Sequence, residues 1–175
     1  MFVDLDTDPR VEPPSHGDER ATLIGFLDWQ RATLQLKCAG LDAEALARRS
    51  VPPSTMSLLG LVRHMSEVER GWFRRFMAGD DAPPRFDMAA DGDFEGAAGD
   101  DAVVAEAWRF WRAEVDNANR YVAAAPDLDL LSRKRDPQRG HMSLRRVLVH
   151  LIEEYARHNG HADLLREAID GQTGE

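Results

Sequence analysis

A single cysteine, Cys38, stands in a chain of 175 residues, which excludes an intramolecular disulfide and any cysteine-rich zinc cluster. A reducing compartment fits such a chain. Positive charge is also scarce, with 22 Lys and Arg against 31 Asp and Glu, a formal net charge of -9 and a pI near 5.1. That balance argues against nucleic acid or any other polyanion that binds through a basic face. The purely apolar runs are only a few residues long, and the opening MFVDLDTDPR carries early aspartates where a secretory signal would have a basic start and an apolar run. Neither a membrane span nor an export signal is expected, and the sequence predicts a cytoplasmic protein. No β-pattern competes with the helical ones described next. A chain of this length can bury roughly two-thirds of its unfolded surface around one core.

Four long helices and one short one can be read along the chain. Residues 1–17 are rich in Asp and Pro, and the Pro13-Pro14 pair excludes regular helix there, so this stretch is expected to be an extended arm. Residues 18–175 then form one domain. The first helix runs from Asp18 to about Ala39 with Leu23, Leu27, Leu34 and Cys38 near one face and Gly40 as its stop. Asp42 caps a short helix that ends before Pro52. Ser57 caps the second long helix, in which Leu58, Leu61, Met65, Val68, Trp72 and Phe76 recur until Gly79. The third carries Val104, Trp108, Trp111, Val115, Ala118 and Val122 and closes at Pro126, and the fourth is capped by Ser143 and ends near Gly171. The fold class expected is all-α, a four-helix bundle. Between the second and third long helices, the segment GDDAPPRFDMAADGDFEGAAGDD concentrates acid residues without the alternation or closing Glu of a calcium loop, and it is expected to be a long solvated acidic loop.

The fourth helix carries the chemistry. Its projected seam is Val147, Leu151, Glu154, His158, His161 and Leu165, spaced 4-3-4-3-4, so a carboxylate and two imidazoles occupy the middle of an apolar stripe. A buried carboxylate is costly unless paired, hydrogen-bonded or bound to a metal, and Glu154 is the one acid this projection places inside the bundle. Glu154 and His158, four residues apart, lie on neighbouring turns and can converge on one ion. His150 precedes Glu154 by four, but His150 and His158 are separated by about 12 Å along the axis, too far to share ligand bonds of about 2 Å. His64, between Leu61 and Val68 on the second helix, is the candidate third ligand. Each of these residues also has a simpler reading, a hydrogen-bonded core histidine or an i,i+4 charged pair, which spacing alone leaves open.

The segments LLGLVRHMSEVERGWF around His64 and HLIEEYARHNGHADLLRE around Glu154 and His158 resemble the DinB-like superfamily, and within it the actinobacterial domains similar to mycothiol-dependent S-transferases and maleylpyruvate isomerases. The resemblance covers residues 18–170. It implies a four-helix bundle in which one histidine of the second helix and a pair on the last helix bind a divalent metal in the core. Many members use three histidines, and those similar to the mycothiol enzymes use His, Glu and His, the pattern matched here by His64, Glu154 and His158.

The function implied is a metal-dependent transferase that activates a low-molecular-weight thiol, mycothiol, for attack on an electrophilic small molecule. The donor set suits zinc and is compatible with nickel, iron or manganese. Cys38 lies on the core face of the first helix, where a thiol is poorly ionised, so the nucleophilic thiol must come from outside. His161 is a further candidate near the metal, and Arg157 is a candidate to meet a carboxylate of thiol or substrate, with a surface pair to Glu153 as its alternative. Trp108 and Trp111 are read as ordinary core before pocket lining. A homodimer is expected from the bundle faces and the resemblance. Two other functions remain open at this level, a metal-binding module or sensor without turnover, and a metal-dependent hydrolase.

Overall fold

The computed structural model describes residues 8–86 and 92–174. Among the described residues the chain is helical, with no strand beyond two isolated bridges. The elements are α1 (Glu19–Cys38), α2 (Ala43–Ala47), α3 (Leu58–Glu69), which continues as a π-helical segment (Arg70–Met77), α4 (Gly92–Glu95), α5 (Asp101–Ala124) and α6 (Leu144–Asp170). No helix among the described residues is long and apolar enough to cross a membrane.

The helix starts follow from their caps. The side chains of Asp18, Asp42, Ser57, Asp100 and Ser143 each accept a hydrogen bond from a backbone N–H in the first turn of the helix they precede, satisfying donors that no helical carbonyl can reach. At the far end of α6, Gly171 takes a left-handed conformation with φ of 78°, a geometry open to glycine without side-chain strain. The second long helix keeps its apolar rhythm past Glu69 but changes to π-helical winding there, a form concentrated at functional sites.

Helix α1 packs along α6, and α3 packs along α5 and also meets α6 and α1. Leu34, Leu58, Leu61, Met65, Phe73, Leu148, Leu151 and Tyr155 fill the space between them. In α6 the buried stripe runs through Leu148, Leu151, Tyr155, Asn159 and Ala162, not through Glu154, His158 and His161. With 3.6 residues per turn the seam's two ends, Val147 and Leu165, point the same way and are both buried, but the stripe is centred to one side of them, on Leu148, Tyr155 and Ala162, where α1 and α3 pack. Glu154, His158 and His161 consequently sit on the flank of the stripe. A similar rotation in α5 buries Ala107 and Glu114 and leaves Val104, Trp108 and Val115 half-buried.

The acids inside are therefore different ones. Glu67, Glu69, Asp93 and Glu114 are buried, and each is engaged by hydrogen-bond donors. Glu69 is fully buried and receives the Arg31 guanidinium through Nε at 2.8 Å and Nη2 at 2.9 Å. Tyr155 donates its hydroxyl to the same carboxylate at 3.0 Å, and Trp111 Nε1 donates to the Tyr155 oxygen at 2.9 Å. Arg31 Nη1 completes the network on Asn119 Oδ1 at 2.9 Å. Four helices, α1, α3, α5 and α6, are tied by this one set of bonds.

The described part of the N-terminal arm lies on α1, with the Arg10 guanidinium 4.2 Å above the Trp29 ring and donating to Thr33 Oγ1 at 3.1 Å. Residues 1–7 of the expected arm lie outside the described residues. So do Asp87 and Asp91 of the acidic segment. Asp80, Asp81, Glu95, Asp100 and Asp101 of that segment are exposed, as expected, but Asp93 is only 1% exposed. It sits in α4, a single turn of helix that packs on α3.

Candidate metal centre

His64 projects from α3, and Glu154 and His158 from α6, where those two helices pack together. Each offers one ligand atom to a set whose members all lie within 4.8 Å of one another. The rings of His64 and His158 are 4.7 Å apart between centroids. All three side chains are partly buried, at 22%, 25% and 12% exposure for His64, Glu154 and His158.

The orientation of His64 comes from the loop. Its Nδ1 lies 2.8 Å from Asp93 Oδ2, a bond in which the ring nitrogen donates to the carboxylate and Nε2 is left for the cluster. Burial pushes the Asp93 carboxyl up, but the His64 hydrogen bond and charge, with the backbone N–H groups of Phe94 and Asp93 itself, outweigh it and hold the group below its usual range. Asp93 is held in turn. Arg63 Nε donates to the Asp93 carbonyl and Arg63 Nη2 to the Gly92 carbonyl, both at 2.7 Å, while Phe94 stacks on the His64 ring with centroids 5.4 Å apart. Gly60 makes room for that stack, since a Cβ there would come within 2.7 Å of the Phe94 ring.

On α6, His158 Nε2 faces Glu154 Oε2 at 3.6 Å and its Nδ1 is 3.4 Å from His161 Nδ1. Burial, then the neighbouring His64, His161 and Arg157, lower the His158 pKa to about 4, so this ring is neutral and able to donate a lone pair at physiological pH. Glu154 Oε1 lies 3.5 Å from His150 Nε2, and the His150 ring stands edge-on to Trp72 with centroids 4.7 Å apart. No Arg or Lys pairs with Glu154 among the described residues.

A family model for mycothiol-S-transferases matches residues 22–171, which include α1 through α6 almost entirely and all three clustered residues. The chain belongs to the mycothiol-S-transferase family. Among curated proteins, none matches it. In this family member the flank of α6, not its buried stripe, meets α3 at the cluster, and the carboxylate that orients His64 comes from a loop turn that sequence periodicity does not mark.

The remaining candidates are placed as follows. His161 touches His158 and is not one of the three converging groups. Arg157 is 63% exposed and pairs with Glu153 at 3.7 Å, the surface alternative considered for it. Trp111 is core, bonded to Tyr155, and Trp108 packs against it edge-to-face. Cys38 is buried, and burial pushes its thiol up to about 12, which leaves it un-ionised at neutral pH. Beside the cluster, a cavity of about 480 Å³ opens between His64, Val68, Trp72 and Phe76. Sequence reasoning missed Asp93 and this cavity. Asp93 follows His64 by 29 residues, with no regular spacing to reveal it.

Proposed function

We propose that the chain is a metal-dependent transferase that joins a low-molecular-weight thiol, mycothiol, to an electrophilic small molecule, with His64, Glu154 and His158 holding a divalent ion. One observation carries the reading: a carboxylate with no Arg or Lys partner among the described residues and two imidazoles face one another within 4.8 Å. Two imidazole lone pairs and a carboxylate without a close donor form a set that a divalent cation can satisfy. The donor set suits zinc, with nickel, iron or manganese also accommodated by nitrogen and carboxylate ligands.

Bound there, a divalent cation supplies the charge that favours the thiolate form of a thiol at neutral pH. Asp93 fixes the tautomer and aim of His64. His158 keeps its lone pair because its ring resists protonation, and Glu154 balances the charge. In the transfer itself the thiol proton leaves to solvent through the open cavity, the sulfur lone pair forms the new C–S bond, and the bond from that carbon to its leaving group breaks, the leaving group taking the electron pair. We read the four long helices as the DinB-like four-helix bundle, with the ligands carried on α3 and α6. A cytoplasmic homodimer belongs to the same reading, the dimer supported by the resemblance and the compartment by a sequence with a single cysteine.

Protein purified with divalent metal and supplied with mycothiol and an electrophile is expected to consume thiol only when metal is present. His158→Ala is expected to lose both the ion, by elemental analysis, and the rate. Retention of the ion by that variant would refute the ligand set, and turnover without thiol would favour a hydrolase instead. Metal binding with no metal-dependent rate would identify a binding module.

A further inference from the structure

The cavity beside the cluster has two kinds of wall. Trp72 and Phe76 meet edge-to-face with centroids 5.2 Å apart, next to Val68 and Gly71, and this apolar side is followed by two cations, Arg75 and Lys134. The cations are not equivalent. Arg75 Nη1 donates to Glu67 Oε2 at 3.2 Å, and the buried Glu67 also accepts the Arg85 backbone N–H at 2.6 Å, so the charge of Arg75 is largely offset. Its guanidinium lies across Gly71, where a Cβ would come within 2.9 Å of Nη2. Lys134 has no carboxylate within ion-pair distance among the described residues. Its backbone is fixed at the cavity nevertheless: its N–H donates to the Phe76 carbonyl at 3.1 Å and its own carbonyl accepts from Ser132 Oγ at 2.7 Å. In a chain of net charge -9, an exposed lysine on a fixed stretch of backbone beside an aromatic wall, with no carboxylate partner among the described residues, favours an anion at that spot.

We propose that this cavity receives the electrophile and selects one with a flat apolar body bearing a carboxylate, the body lying along Trp72 and Phe76 and the carboxylate meeting Lys134. His64 at the same cavity's edge puts such a molecule next to the ligand cluster. The identity of the occupant as the electrophile rests on the transferase reading, but its chemistry rests on the cavity alone.

The test uses unreactive probes, so that it needs neither metal nor thiol. Quenching of Trp72 fluorescence by para-nitrobenzoate and by nitrobenzene is titrated in the full chain, with Trp72→Phe removing the signal that belongs to this cavity. Nitrobenzoate is expected to bind about fivefold more tightly, the effect of a partly exposed ion pair of ~1 kcal/mol, and less so in high salt. Lys134→Gln is expected to bring nitrobenzoate down to the affinity of nitrobenzene. Equal binding of the two probes, no effect of Lys134→Gln, or quenching that survives Trp72→Phe would overturn the proposal. A thiol-consumption assay with chloronitrobenzoate and chloronitrobenzene then separates it from the transferase reading. Discrimination in binding without turnover sinks the transferase and keeps the cavity's selectivity, whereas turnover with no preference for the carboxylate does the reverse.

Discussion

Two polar clusters share α3 and α6 and differ in how their donors and acceptors are matched. Around Glu69, every charged or polar group meets a group of opposite hydrogen-bonding sense: Arg31 donates two bonds to the carboxylate, Tyr155 donates a third, and Trp111 donates to Tyr155. Around Glu154 the contacts are longer, 3.5 Å to His150 and 3.6 Å to His158, at or beyond the limit of a hydrogen bond, and no arginine or lysine meets the carboxylate among the described residues. The first cluster is complete without any other molecule. The second leaves its carboxylate without a close donor among the described residues. Burial alone does not distinguish structure from function here, because the more deeply buried carboxylate is the structural one; the balance of donors and acceptors does.

The sharpest way to break the comparison is to unbalance the complete cluster. Glu69→Leu leaves the buried Arg31 guanidinium without its carboxylate, and is expected to cost ~3–5 kcal/mol in urea denaturation, whereas His158→Ala should move the stability of the metal-free protein far less. If the two variants lost equal stability, the division into structural and ligand clusters would fail. A second contrast is in acid. His158 has a folded pKa of about 4 against an ordinary value near 6.5, so the unfolded chain binds the extra proton first. The metal-free protein is expected to lose stability as pH falls from 6.5 towards 4, and His158→Leu should flatten that slope; an unchanged slope in the variant would assign the titration elsewhere. The smallest effect concerns the loop. Asp93→Ala should weaken metal affinity by roughly 10- to 100-fold while leaving all three ligands present, measured by competition with a chelator; unaltered affinity would show that Asp93 does not set the aim of His64.

Much of the helical layout is legible in the sequence because its signals are local. Asp42, Ser57 and Ser143 cap where their hydroxyl or carboxylate oxygens precede apolar periodicity, and Gly171 ends α6 for the reason its lack of a Cβ suggests. The spacing of Glu154 and His158, with a histidine at mid-helix in α3, is likewise readable, and the structure brings those three residues together. What escaped is non-local. The buried face of α6 is set by the helices that pack on it, which turn it towards Tyr155 and away from Glu154, so that Tyr155 is buried and Glu154 half-open. Glu67, Glu69 and Glu114 look like surface acids until the arginines that meet them, several from other helices, are known.

By itself the sequence determined the helices, their ends and the residue types able to hold a metal, since caps and periodicity act within a few residues of chain. Only the tertiary structure decided which acids are inside, that Asp93 reaches back to His64 and that Lys134 borders a cavity beside it. Those facts depend on which donors packing brings to each acceptor, and contacts between residues 29 apart leave no period in the chain that joins them.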